Sequence, residues 1–256
     1  MDFKRHFVDL PVALIREKRL RPADLRLYMQ ISLTPGCSIS ELSRLTGYGR
    51  GAVRSQCNRL SSCGWVVIVQ EGMRKVVYPT MPHEIQNEVA EQYKETIRFA
   101  SRVGQTHMYE WLKIMVDAYP IMVDVRPRFL QNPETNEYME YDCFLPAPFN
   151  KAWEFHGHQH FGPTQMFPNK DALRKLQTRD HVKASLSQKY GIELVVVTAE
   201  DLSYEGMLAK TPADVPRKYV DPSDPYVLAL ESLCQEYAAG VRRMIARQER
   251  QVRNQQ

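Results

Sequence analysis

Apolar residues recur at helical spacing in some stretches of the chain and as continuous or alternating runs in others, and the changes between these patterns predict its elements. From Arg21 to Leu33, the positions Leu25, Leu27, Tyr28 and Ile31 predict a helix, with Pro22 tolerated in the first turn and Pro35-Gly36 ending it. Ser40 is expected to cap a short helix, Glu41–Thr46, that stops at Gly47. A third helix over Arg50–Ser62 has Val53, Cys57 and Leu60 on one side and Arg50, Arg54, Ser55, Asn58 and Arg59 on the other, and Gly64 closes it. Two strands, Trp65–Gln70 and Lys75–Pro79, follow across the turn Glu71-Gly72-Met73-Arg74. A polar helix over 84–103 carries the stripe Ile85, Val89, Tyr93, Ile97 and Ala100.

Beyond it the period changes repeatedly. Thr106–Ala118 reads as a helix with Met108, Trp111, Leu112 and Met115 on its buried side and Glu110 near its start. Strands are predicted at Ile121–Arg126, Glu137–Leu145 and Lys151–His156, the last two joined by a turn with Pro146, Pro148 and Asn150. A polar helix, Lys170–Lys189, ends at Tyr190-Gly191, and the apolar run Ile192–Thr198 reads as a buried strand. The second half is thus α-β-β-β-α-β. A turn at Asp221–Pro225 introduces a long helix, Tyr226–Arg253, apolar at Leu228, Leu230, Leu233, Tyr237 and Val241. Past Gly240 it becomes basic, with Arg242, Arg243, Arg247, Arg250 and Arg253, which fits either a solvated helix tip or a phosphate-contacting tail.

Composition narrows the class. The 256 residues are 43% hydrophobic and 25% charged, as in soluble globular proteins. No apolar run approaches a membrane span, and the polar N-terminus lacks a signal-peptide core. Five cysteines without a Cys-x-x-Cys pair argue against a disulfide framework or zinc ribbon and lead to the expectation of a cytoplasmic protein. The formal net charge of +4 permits nucleic-acid binding without requiring it.

Three helices followed by a hairpin is the order of a winged helix-turn-helix. In that reading the third helix enters the major groove and presents Arg50, Arg54, Asn58 and Arg59 to phosphates or base edges, while Arg74 and Lys75 on the hairpin contact phosphate. The stretch from Ser38 to Gly47, followed by the arginine-bearing helix, resembles bacterial winged-helix regulators and replication proteins over roughly residues 20–80. A protein-docking module is the other reading of the same face.

The chemistry concentrates in residues 140–161. Asp142 precedes a turn, Glu154 stands in an apolar strand, and His156, His158 and His160 follow at alternate positions that share one face of an extended chain. Buried carboxylates are costly without a cation or proton between them. Imidazoles at this spacing also suit zinc or nickel.

The ordered set Asp142, then Glu154 to His160, then Arg179-Asp180-His181-Val182-Lys183, then the strand Gly191 to Val197, resembles the PD-(D/E)XK nuclease superfamily over roughly residues 104–203. The nearest branch is that of very-short-patch repair and related phage or homing endonucleases. The resemblance implies a Mg2+ or Mn2+ site at Asp142 and Glu154, with Glu110 as a third ligand. It also implies a water-positioning His160, and Lys183 on phosphate with Asp180 orienting it or His160. One departure stands out: the superfamily has lysine two residues after the glutamate, where this chain has His156.

The expectation is therefore an α+β chain in four parts. These are a winged helix-turn-helix (1–82), a connector helix (83–103), a restriction-endonuclease-like αβββαβ domain (104–210) and a C-terminal basic helix (211–256). Its expected activity is metal-dependent DNA endonuclease, with DNA as partner. The alternative is a non-catalytic DNA-binding regulator or assembly factor with a degenerate nuclease fold. Other proteins of a DNA-processing complex, or a second copy of the chain, are the further partners considered, and no membrane is expected.

Overall fold

A computed structural model describes residues 10–118, 120–157 and 170–253. The chain is mixed α+β and divides into two compact units, Met1–Val89 and Ala90–Gln256.

The first unit comprises helices α1 (Val12–Arg16), α2 (Pro22–Leu33), α3 (Ile39–Thr46) and α4 (Arg50–Ser62) and strands β1 (Cys37–Ser38), β2 (Val66–Glu71) and β3 (Arg74–Pro79). The short α1 and β1 have no counterpart among the predicted elements. The sheet is antiparallel in the order β1-β3-β2. Ser38, not Ser40, caps α3. Its Oγ accepts from the Glu41 N–H at 3.3 Å, and Glu41 Oε2 accepts from the Ser38 N–H at 2.8 Å. The reciprocal pair needs a carboxylate three residues after the cap; Ser38 has Glu41 there, whereas Ser40 has Ser43. The apolar faces meet in one core that includes Leu27, Ile31, Leu42, Val53, Leu60 and Trp65.

A charged pair lies beside that core. Asp24, in the first turn of α2, has no exposed surface, and its carboxylate accepts from Arg59 Nε at 3.0 Å, from Arg59 Nη2 at 2.7 Å and from the Arg21 N–H at 2.8 Å. Burial works to raise its pKa, but the guanidinium and the N–H outweigh burial and hold it below the ordinary carboxylate range.

Helix α5 (His83–Phe99) contributes to both units: Ile85 packs on the first core, whereas Ala90 and Tyr93 are buried in the second unit. The second unit continues with α6 (Val103–Met115), β4 (Met122–Val125), β5 (Tyr141–Leu145), β6 (Lys151–His156), α7 (Lys170–Lys189), β7 (Glu193–Thr198), α8 (Tyr204–Ala209) and α9 (Pro225–Arg253). The sheet order is β4-β5-β6-β7, with only β6 and β7 parallel. Parallel neighbours need a crossover, and α7 lies between them in sequence. Strand β5 starts at Tyr141 rather than Glu137; before it the chain makes only a bridge, Gln131↔Tyr138, around a turn with Asn136 at φ 58°.

Helix α7 brings Val182 and Leu186 onto a core containing Ala152, Ile192 and Leu194. Alternate residues of β6 meet other helices. Trp153 Nε1 donates to the Lys210 carbonyl at 3.0 Å, and Phe155 packs with Tyr237 of α9. Phe155 also crosses α6 at Gly104, where an added Cβ would lie 2.1 Å from the ring, so a glycine is required there.

Replacing Arg59 with Ala leaves the Asp24 carboxylate buried with a backbone N–H alone. The expected loss is about 2–4 kcal/mol of stability, measured by urea unfolding. A loss below about 0.5 kcal/mol, typical of surface substitutions, would show the pair to be energetically neutral.

Candidate functional site

Strands β5 and β6 pair through Leu145↔Lys151, Phe144↔Ala152 and Cys143↔Trp153. One further step would set Asp142 opposite Glu154. Instead, the Phe155 N–H donates to Asp142 Oδ2 at 2.7 Å, so that a side-chain carboxylate takes the place of a ladder partner. Strand β6 meanwhile stays with β7 as far as His156↔Thr198. The two carboxylates thus stand where the β5–β6 ladder ends.

The third member comes from α7: Lys183 Nζ donates to Glu154 Oε2 at 2.7 Å. Both residues are buried, Glu154 at 7% exposure and Lys183 at 8%. Glu154 Oε1 is buried without a hydrogen-bond partner among the described residues. Burial pushes the Glu154 carboxyl up to about 7; Lys183 pulls it down, and Asp142 adds to the rise. Burial also raises Asp142, against the Phe155 N–H and Lys183. Two carboxylates and one ammonium leave an excess of acceptor oxygen in a low-dielectric place, which suits a hard cation or a proton.

The other expected members fall differently. His156 closes β6, two residues from Glu154, and is partly buried. His158 and His160 lie outside the described residues. Glu110 does not join the cluster: its carboxylate accepts from Lys113 Nζ at 2.8 Å and from Tyr226 Oη at 2.7 Å. The reason is its position on α6, six residues beyond Gly104, where that helix meets Phe155. Among the described residues no three His, Cys, Asp or Glu converge to hold a metal.

Two residues not singled out from the sequence act on Asp142. Asp124 of β4 adds to the rise in its pKa, and Arg102, just before α6, opposes it. Asp124 Oδ1 accepts from Gln105 Nε2 at 2.8 Å and from Arg102 Nη1 at 3.3 Å. The available signal was a carboxylate inside the apolar run Ile121 to Val125.

In the first unit, Arg50, Arg54 and Asn58 are exposed on α4 and Lys75 on β3. Two expected contact residues have internal partners. Arg59 is engaged with Asp24 and with Ser55 Oγ at 2.9 Å, and Arg74 Nη2 donates to Glu41 Oε2 at 2.6 Å.

The raised pKa of Glu154 has a definite sign. An acid whose folded pKa, about 7, exceeds the ordinary 4.5 opposes folding increasingly as pH rises from about 4.5 to about 7, and by a constant amount above that. Relative to Glu154→Gln, the wild-type protein should lose up to about 3 kcal/mol of stability across this window. Urea unfolding of both proteins at several pH values measures it. A flat difference would mean that the carboxyl titrates normally.

No family model matches the chain, and no solved structure gives a significant match. The chain is similar to the uncharacterized protein 033L of Invertebrate iridescent virus 3, with 37% identity over 73 residues. That stretch is 28% of this chain and 37% of the viral protein, so the chain spans little more than a third of that relative's length.

Proposed function

We propose that the protein is a metal-dependent DNA endonuclease, with a winged helix-turn-helix in the first unit and a restriction-endonuclease-like domain in the second. The observation that carries the reading is the convergence of Asp142, Glu154 and Lys183 at the end of the β5–β6 ladder, with Glu154 Oε1 buried and unpaired among the described residues. The donor set fits Mg2+ or Mn2+: carboxylate oxygens are the preferred ligands, and one or two from the protein suffice when substrate phosphate supplies others. Asp142 and Glu154 would hold the cation, which on binding supplies Lewis-acid polarisation of a phosphoryl oxygen.

The chain's own groups have separable roles. Lys183 orients Glu154 and brings positive charge toward the scissile phosphate. It is an ammonium from α7 at the glutamate of a chain that has His156 where the resembled superfamily has a lysine. His156, at that position, is of the residue type that exchanges protons near neutral pH. In the first unit, Arg50, Arg54 and Asn58 on the third helix of the helix-turn-helix and Lys75 on the hairpin are disposed for duplex DNA. The second reading, a DNA-binding regulator or assembly factor with a degenerate nuclease fold, is favoured by one feature: Lys183 already neutralises Glu154.

Incubation of the full chain with supercoiled plasmid and Mg2+ or Mn2+ tests the proposal. Wild-type protein should cleave, whereas Asp142→Asn and Glu154→Gln should fall to the metal-free background and still bind DNA. If the wild-type protein binds DNA but leaves plasmid, linear duplex and single strands intact with both metals, the non-catalytic reading replaces this one.

A further inference from the structure

Helix α9 runs antiparallel to α6. Tyr226 bonds Glu110, then Cys234 meets Trp111 and Tyr237 packs on His107, so α9 advances toward the start of α6. Its next turn packs Ala238 and Val241 against Ala199, with Phe155 and Ile245 alongside. Arg242 Nη1 then donates to Glu200 Oε2 at 2.6 Å, just after the end of β7. Because β6 and β7 are parallel, with His156 beside Thr198, this end of β7 is also the end of β6 that carries Glu154. Arg102, which acts on Asp142, stands at the start of α6 on the same side.

From here α9 carries its basic run. Residues 241–253 hold five arginines against one glutamate, a net +4 that equals the formal net charge of the whole chain. The excess positive charge of the protein is therefore concentrated on this segment. Arg243, Arg247 and Arg250 are all exposed, and their i, i+4, i+7 spacing aligns them in one stripe. The stripe spans about 10 Å of helix axis at ~1.5 Å per residue. A DNA strand covers that length with about three phosphates at roughly 3.4 Å each. Guanidinium groups match phosphate oxygens bidentately.

We propose that the Arg243–Arg247–Arg250 stripe of α9 is a phosphate-binding track for the DNA backbone. The stripe belongs to the second unit, whereas the α4 face belongs to the first, and the proposal rests on the reading of the protein as DNA-directed.

The test uses the full chain carrying Glu154→Gln, so that DNA stays intact, and a fluorescein-labelled duplex of mixed sequence titrated at several salt concentrations. Combining Arg243→Ala, Arg247→Ala and Arg250→Ala should lower the slope of log K against log salt by about 2–3, close to 0.9 for each phosphate that is no longer neutralised. The triple Arg→Lys variant, which keeps the charge, should retain the parent slope and so excludes misfolding as the cause. An unchanged slope in the alanine variant overturns the track while leaving DNA binding by the first unit standing. Loss of binding to phosphatidylserine vesicles with an unchanged DNA slope would assign the stripe to a lipid surface instead. Absence of DNA binding by the parent overturns the track and the DNA-directed reading together. A slope change in a protein whose wild type cuts nothing keeps the track and removes only the nuclease.

Discussion

The ion pair of Glu154 with Lys183 is the constraint around which the second unit is organised. A carboxylate at 7% exposure resists ionisation, and here a second carboxylate, Asp142, faces it where the β5–β6 ladder stops. An ammonium delivered from α7 offsets part of that cost. The crossover helix therefore does more than link parallel strands. Its Val182 and Leu186 seat it on the sheet, and that seating brings Lys183 to Glu154. Glu154 Oε1, buried and without a partner among the described residues, marks an imbalance of burial and charge, and such imbalances are where function concentrates.

The neighbouring residue makes the opposite demand. Phe155 is apolar and packs with Tyr237 and against the backbone of α6 at Gly104. Residues two apart on β6 share a face, so Ala152 and Glu154 belong to the α7 side while Trp153 and Phe155 meet α6, α9 and the end of α8. Packing around Phe155 seats the last apolar positions of α9, Ala238, Val241 and Ile245, among which its arginines begin.

Much of the framework was legible because it is written locally. The bounds of Arg50–Ser62, Lys151–His156 and Lys170–Lys189 match the spacing of apolar residues and the glycines that follow. Asp142 and Glu154 were recognisable as carboxylates in strand-like runs, and the structure brings them together. Local ambiguity explains the misassigned cap, since Ser38 and Ser40 are both good candidates and only the reciprocal bond with Glu41 separates them. Glu110 was expected beside the carboxylates, yet its helix meets β6 at Gly104 and carries Glu110 away toward Tyr226.

The sequence by itself determined most of the elements, their order and the supply of carboxylates and basic groups, because periodicity and capping act over a few residues, whereas the short α1, β1 and α8 carry too few residues to show a period. Tertiary structure decided which charges face one another. Asp24 finds Arg59 across 35 positions, Arg74 finds Glu41 across 33, and Glu154 finds Lys183 across 29. The type of a side chain can be read from one position, but its desolvation and its partner are set by whichever distant segment the packing brings against it. For that reason Arg59 and Arg74 have internal partners, Arg54 and Asn58 remain exposed, and Glu154 alone of these carboxylates is pushed toward neutrality.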